Sequence, residues 1–185
     1  MVPLEEHIFK ILNYSKIINE WITNGYHSKP LVIYGSPGNF KTSIAEYILR
    51  DWIKIYIDIE YLKTNNNLEE YLDLSLYKKS ITMMFSSNIY KALIIDDITH
   101  IKNNDKKLFK NIINFSKKEI SQHPIIYIIN NINHKNYSYL IDHSICIHID
   151  FSTKQLKYII KNYLLKDKIN DTDINHLINK SQKNI

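Results

Sequence analysis

Eight consecutive residues, Gly35-Ser36-Pro37-Gly38-Asn39-Phe40-Lys41-Thr42, hold two of the three glycines of this 185-residue chain. An apolar run, residues 31–34, precedes them, and a run with helical character, residues 43–50, follows. A glycine-bearing loop between a strand and a helix suits a chain of phosphates. Its backbone N–H groups and the helix N-terminus cradle the phosphate oxygens, the lysine reaches the β and γ phosphates, and the threonine hydroxyl holds Mg²⁺. On that basis Gly35, Ser36, Pro37, Gly38, Asn39, Phe40, Lys41, Thr42 and Ser43 form a nucleotide site, with Thr42 also a metal ligand. Phe40 departs from the pattern G-x-x-x-x-G-K-[ST]. It sets a Cβ and a ring where backbone must approach phosphate closely, so Phe40→Gly is expected to tighten nucleotide binding.

Two further groups have matching chemistry. The apolar run 92–95 ends in Asp96-Asp97, and the run 125–129 ends in Asn130-Asn131. An acidic pair closing a buried strand can divide the labour of hydrolysis. Asp96 would hold Mg²⁺, and Asp97 would orient or deprotonate the attacking water. Asn130, with Asn131 as the alternative, would position that water or touch the γ-phosphate. His143, Cys146 and His148 lie close in sequence, but two ligands sharing one strand face do not make a zinc site.

The elements that must position these groups follow from periodicity. Apolar residues recur near the 3.6 period over 4–23, and Asn24-Gly25 supplies a stop signal, which predicts an opening helix. Strands are expected at 31–34, 53–59, 92–95, 125–129 and 145–151. Helices are expected at 68–77, 106–120, from Ser152 onward, and at 173–179. Ser152 with Gln155 has the spacing of a capping box. Strands alternating with helices imply an α/β fold with a parallel sheet, whose ligands bind at the carboxyl ends of the strands.

Composition bounds the rest. The length suits one domain with a small appendage. The chain is rich in Ile, Asn, Lys and Tyr and poor in Gly, Pro and Arg, a skew toward AT-rich codons that fits an AT-rich genome, that of a large DNA virus or equally of a cell. The net charge of +5 suits nucleic-acid contact, although Lys78-Lys79, Lys106-Lys107 and Lys117-Lys118 are scattered as solvated faces are. One cysteine permits no internal disulfide, no stretch approaches a membrane span, and Glu5, Glu6, His7 and Lys10 interrupt any signal sequence. An intracellular protein, in cytoplasm, nucleus or a viral replication site, is expected.

Taken in order, LVIYGSPGNFKTS, ALIIDDI and PIIYIINN resemble the Walker A, Walker B and sensor 1 segments of the AAA+ ATPases, and the resemblance covers nearly the whole chain. WITNGYHSKPLVIYG and FSTKQLKYIIKNYLL are most similar to clamp loaders of the replication factor C type, and the acidic pair in IIDDITHI is similar to that of DnaA-type initiators and helicase loaders. The resemblance implies a three-layer P-loop NTPase fold with a five-stranded parallel sheet in the order 5-1-4-3-2. It also implies a nucleotide-binding domain over 1–151 and a partial helical lid over 152–185. ATP and Mg²⁺ are the implied cofactors, and the implied role is as a clamp-loader or initiator factor in DNA replication or repair. Other AAA+ subunits in a hetero-oligomer and DNA bound without sequence preference are the implied partners. Three departures bear on activity. Asp97 stands where the family has Glu, Ser144-Ile145-Cys146 replaces the Ser-Arg-Cys of clamp loaders, and Arg50 is the only arginine in the chain. Arg50 is expected beside its own loop, so no residue serves as an arginine finger or a lid arginine. ATP hydrolysis is therefore expected to be weak or partner-dependent. A non-hydrolysing scaffold subunit is the alternative, and a small nucleotide kinase, which needs lid arginines, is a lesser one. The lid ends at Ile185, close to where the family's sensor 2 arginine would follow, as in a fragment or a shortened homologue.

Overall fold

The computed structural model describes residues 4–57, 68–77, 90–96, 98, 106–120, 122–130, 132, 137–161, 172–174, 176 and 178. Five short apolar segments form strands: β1 (Leu31–Tyr34), β2 (Ile53–Ile57), β3 (Lys91–Ile95), β4 (Ile125–Ile129) and β5 (Ile145–His148). They build one parallel sheet in the order β2-β3-β4-β1-β5, the order that the family resemblance implies. β3 and β4 are buried along their whole length. That explains why they read as continuous apolar runs rather than alternating ones.

Helices cover both faces. Leu31, Ile33, Ala92, Ile94, Ile126, Ile128 and Ile147 pack against α1 (Leu4–Ile11), α2 (Ser15–Glu20) and α3 (Lys41–Ile48). Val32, Leu93, Ile95, Ile125, Tyr127 and Ile129 face α4 (Leu68–Tyr77), α5 (Lys106–Glu119) and α6 (Ser138–Asp142). The alternation of the two sets along each strand is the period of two that any pleated strand imposes. The result is a three-layer α/β architecture. α7 (Thr153–Ile159) follows β5 and places Ile159 in the α1–α3 layer.

Several boundaries differ from the sequence expectations. The expected opening helix breaks after Leu12. Asn13 takes the left-handed conformation, φ 58°, and Tyr14 N–H donates to the Phe9 carbonyl at 2.9 Å. Asn tolerates that region better than other non-glycine residues, so the apolar stripe continues across a chain that is not one helix. Beyond α2, residues Trp21–Gly25 widen into a π turn, with Trp21 Nε1 donating to the Lys29 carbonyl at 2.8 Å. β5 ends at His148 rather than at 151, and α6 has no counterpart among the expected elements. Residues 172–174, 176 and 178 are helical, as expected for that stretch. Among the described residues no helix is long and apolar enough to cross a membrane.

Candidate phosphate and metal site

β1 delivers the chain to the carboxyl edge at Tyr34, level with Ile129 of β4 and His148 of β5. The next residue must be glycine for a steric reason. At Gly35, φ is +148° and a Cβ would lie 2.0 Å from the Ile149 carbonyl oxygen, inside any real contact. Gly38 turns left-handed at φ +78° with open space around it. Phe40 is also left-handed, at φ 57° and ψ 18°, a region that bulky residues rarely occupy. Its ring meets the Phe151 ring edge-on, with centroids 6.4 Å apart.

α3 starts at Lys41. Its first turn contains no acidic side chain, so the positive end of the helix dipole faces the loop without local compensation. Lys41 is buried, and its Nζ donates to the carbonyls of Gly35 at 3.0 Å and Ser36 at 2.8 Å. The ammonium is thereby held within the turn of the loop. Thr42 Oγ1 donates to Asp96 Oδ2 at 2.8 Å, and Asn39 Nδ2 donates to the Ile149 carbonyl and to Asp150 Oδ1, both at 3.2 Å. Ser36, Pro37, Gly38 and Ser43 are exposed.

Asp96 reaches Thr42 because of strand alternation. Ile94 faces the α3 layer, and the residue two further on falls on the same side. β4 runs between β3 and β1, and Asn130 follows it, half-buried, at the edge between Asp96 and the loop. Asp97 and Asn131 lie outside the described residues. The structure thus brings the loop, Asp96 and Asn130 to one edge. Thr42 and Asp96 present two hard oxygens within a hydrogen bond of each other, which suits Mg²⁺. That ion takes few protein ligands and completes its shell with water and phosphate oxygens. Among the described residues no three His, Cys, Asp or Glu side chains converge on a metal position, so a closed protein cage is not the arrangement offered.

Arg50 is placed differently from expectation. It follows the far end of α3, about 12 Å along the helix from the loop. There it is exposed, lies over the Tyr47 ring at 4.7 Å and pairs loosely with Asp51 at 3.9 Å. Helices that follow a parallel strand run back toward its amino edge, so Arg50 sits at the edge opposite the site. Residues 149–151 are the part of the site that motif spacing missed. They contact the loop from more than 100 residues away, and no local pattern encodes that approach. Nearby, Tyr34 and His148 stack at 4.7 Å, and burial, with smaller effects from Tyr14 and Cys146, raises the Tyr34 phenol above its ordinary value.

No protein-family model matches the chain, and no curated protein matches it. Solved structures do. The replication initiator DnaA bound to AMPPCP and single-stranded DNA is similar at a TM-score of 0.58 and 19% identity, covering 88% of this chain and 54% of that one. The Aeropyrum pernix ORC1 protein in complex with DNA gives 0.55 and 13%, covering 88% and 49%. The E. coli MS115-1 HORMA:CdnC:Trip13 complex gives 0.60 and 15%, covering 97% and 73%. The chain spans about half the length of the DnaA and ORC1 structures. At such identities the likeness establishes fold alone, and the fold is a three-layer α/β arrangement of the P-loop NTPase type.

Proposed function

We propose that this chain binds ATP with Mg²⁺ at the loop between β1 and α3, as the nucleotide-binding part of an AAA+ factor in DNA replication or repair. The observation that carries this reading is the 2.8 Å hydrogen bond from Thr42 Oγ1 to Asp96 Oδ2. It joins a residue of the phosphate loop to a strand-end carboxylate 54 positions away, as a shared Mg²⁺ ligand pair requires. The loop N–H groups and the α3 N-terminus hold phosphate oxygens, and Lys41 adds a fixed positive charge. Thr42 and Asp96 would hold Mg²⁺, which would supply charge neutralisation at the phosphates. Asp97 orients the attacking water and accepts its proton, and Asn130 holds that water against the γ-phosphate. Residues 1–151 form the nucleotide-binding domain and 152–185 a partial lid. The AMPPCP and DNA named with the similar structures favour ATP as the ligand and DNA as a partner, and the replication initiator among them favours an initiator role; the clamp-loader role rests on the sequence resemblance alone.

The missing arginines favour a subunit that works inside a hetero-oligomer and takes its finger from a neighbour. A scaffold that binds nucleotide without hydrolysing it is the second reading, supported by the placement of Arg50 away from the site.

Calorimetric titration of ATP with and without Mg²⁺ tests the proposal. Lys41→Ala should weaken binding at least about tenfold, roughly 1.4 kcal/mol, with circular dichroism confirming the fold. Asp96→Asn should leave metal-free binding unchanged and remove the gain that Mg²⁺ gives. Unchanged affinity in a folded Lys41→Ala variant would overturn the assignment of the site.

A further inference from the structure

The phosphate loop is fastened to the chain that leads from β5 into α7 by a set of contacts the nucleotide site itself does not require. Ile149 N–H donates to the Tyr34 carbonyl at 2.7 Å, directly below the loop. The Ile149 carbonyl packs so closely on Gly35 that no side chain fits between them. Asn39 Nδ2 reaches the same carbonyl and also Asp150 Oδ1. That carboxylate oxygen accepts in addition from Phe151 N–H at 3.0 Å. Phe40 then sets its ring against Phe151, which is buried in the layer that also takes Ile159 of α7. The next residue, Ser152, caps α7 with a reciprocal Ser152–Gln155 pair.

Asn39 and Phe40 occupy the two loop positions between Gly38 and Lys41, and both point to residues 149–151. Phe40 does so from a left-handed backbone that favours glycine. A strained residue persists where its surroundings over-determine it, and here the surroundings are Phe151 and the lid root. We propose that Asn39 and Phe40 are positioning residues that fasten the phosphate loop to the root of α7, so that the loop and residues 149–156 rearrange as one unit. Occupancy of the loop by a polyphosphate then moves the lid root, and a partner bound to the lid alters phosphate affinity. This last consequence rests on the nucleotide reading, whereas the fastening does not. It also reverses the expectation for Phe40→Gly. The ring is turned onto Phe151, so glycine relieves backbone strain but releases the loop, and binding weakens.

Hydrogen exchange on the nucleotide-free protein tests the fastening. Phe151→Ala should speed exchange of the 38–42 amides about tenfold, the upper range for loss of one aromatic pair. Phe40→Ala should do the same to amides 151–156. Phe40→Gly, free of strain but lacking the ring, should resemble Phe40→Ala at the lid root, and Phe40→Tyr should restore protection. Asn39→Ala is a milder variant whose effect should also cross to 150–152, and because Phe151 is a core residue whose truncation lowers overall stability, exchange of the β4 amides in each variant is the reference that separates these effects from unfolding. Exchange changes confined to the substituted segment, or full lid protection in Phe40→Gly, would overturn the proposal. Adding ATP with Mg²⁺ forms the second arm. In the wild type both segments should gain protection, and in Phe40→Gly only the loop should. A wild type that binds no ATP would sink the nucleotide reading, while the ligand-free arm would still decide the fastening.

Discussion

Gly35 shows how strongly a single residue is constrained here. Its φ and the Ile149 carbonyl beside it leave no room for a Cβ, and the neighbour is backbone, which cannot swing aside. Gly35→Ala should therefore cost about 3 kcal/mol and lower the melting temperature by about 6–12 °C, as calorimetry would read. A variant that melts like the wild type would show that the loop does not lie against Ile149. Cys146, half-buried in β5, gives a pH test. Burial, then the charge of Asp142, pushes its thiol above the ordinary value. A raised value means less thiolate at any given pH, because the folded site favours the neutral form. Alkylation by iodoacetamide should therefore lag that of a free cysteine peptide from pH 7 to 9 and catch up on unfolding. An equal rate in the native protein would contradict the buried placement.

Elements in this molecule begin and end where single residues dictate. α7 starts at a complete capping box, in which Ser152 Oγ accepts from Gln155 N–H and the Gln155 side chain accepts from Ser152 N–H. Ser152→Ala should cost about 1 kcal/mol and raise exchange first at Gln155, with the sheet unaffected. The break between α1 and α2 depends on Asn13 at φ 58°. Asn13→Gly should keep the break, and Asn13→Ala should cost up to about 1 kcal/mol, since alanine pays the left-handed penalty without the polar side chain that eases it for asparagine. Urea denaturation of the pair would resolve the difference. Equal loss in both variants would mean that the break is held by the packing of Phe9 and Ile18 alone.

At the scale of the whole molecule, the sheet order places β4 between the strand that ends in Asp96 and the strand that feeds the loop. That order brings the loop, Asp96 and Asn130 together at the carboxyl edge, and the return run of α3 carries Arg50 toward the amino edge. An arginine finger supplies on the order of 10³–10⁵ in rate where it operates, and a lysine lacks its planar fork. The purified chain should therefore hydrolyse ATP very slowly across a wide concentration range, and an arginine-bearing partner should raise the rate. Steady-state turnover decides the matter. A rate that climbs with protein concentration and falls in Arg50→Ala would show that copies of this chain complete each other's sites.

The placement of the loop between β1 and α3, the five strands, and the positions of Asp96 and Asn130 at strand ends were legible in the sequence because each rests on local chemistry. A phosphate loop needs glycine and lysine within eight residues, and a buried parallel strand reads as an unbroken apolar run such as residues 125–129. The break at Asn13 and the short helix α6 were not legible, since the first interrupts an intact apolar stripe and the second spans only five residues. Strand order came from family resemblance, as no periodicity encodes which strands pair. Only the tertiary structure decided that Phe40 turns onto Phe151 and that Ile149 demands glycine at 35, and it gave the expected Thr42–Asp96 pair its direct hydrogen bond. Those contacts join residues 54 to 114 positions apart, and their geometry is set by sheet register and alternation, which a linear pattern does not contain.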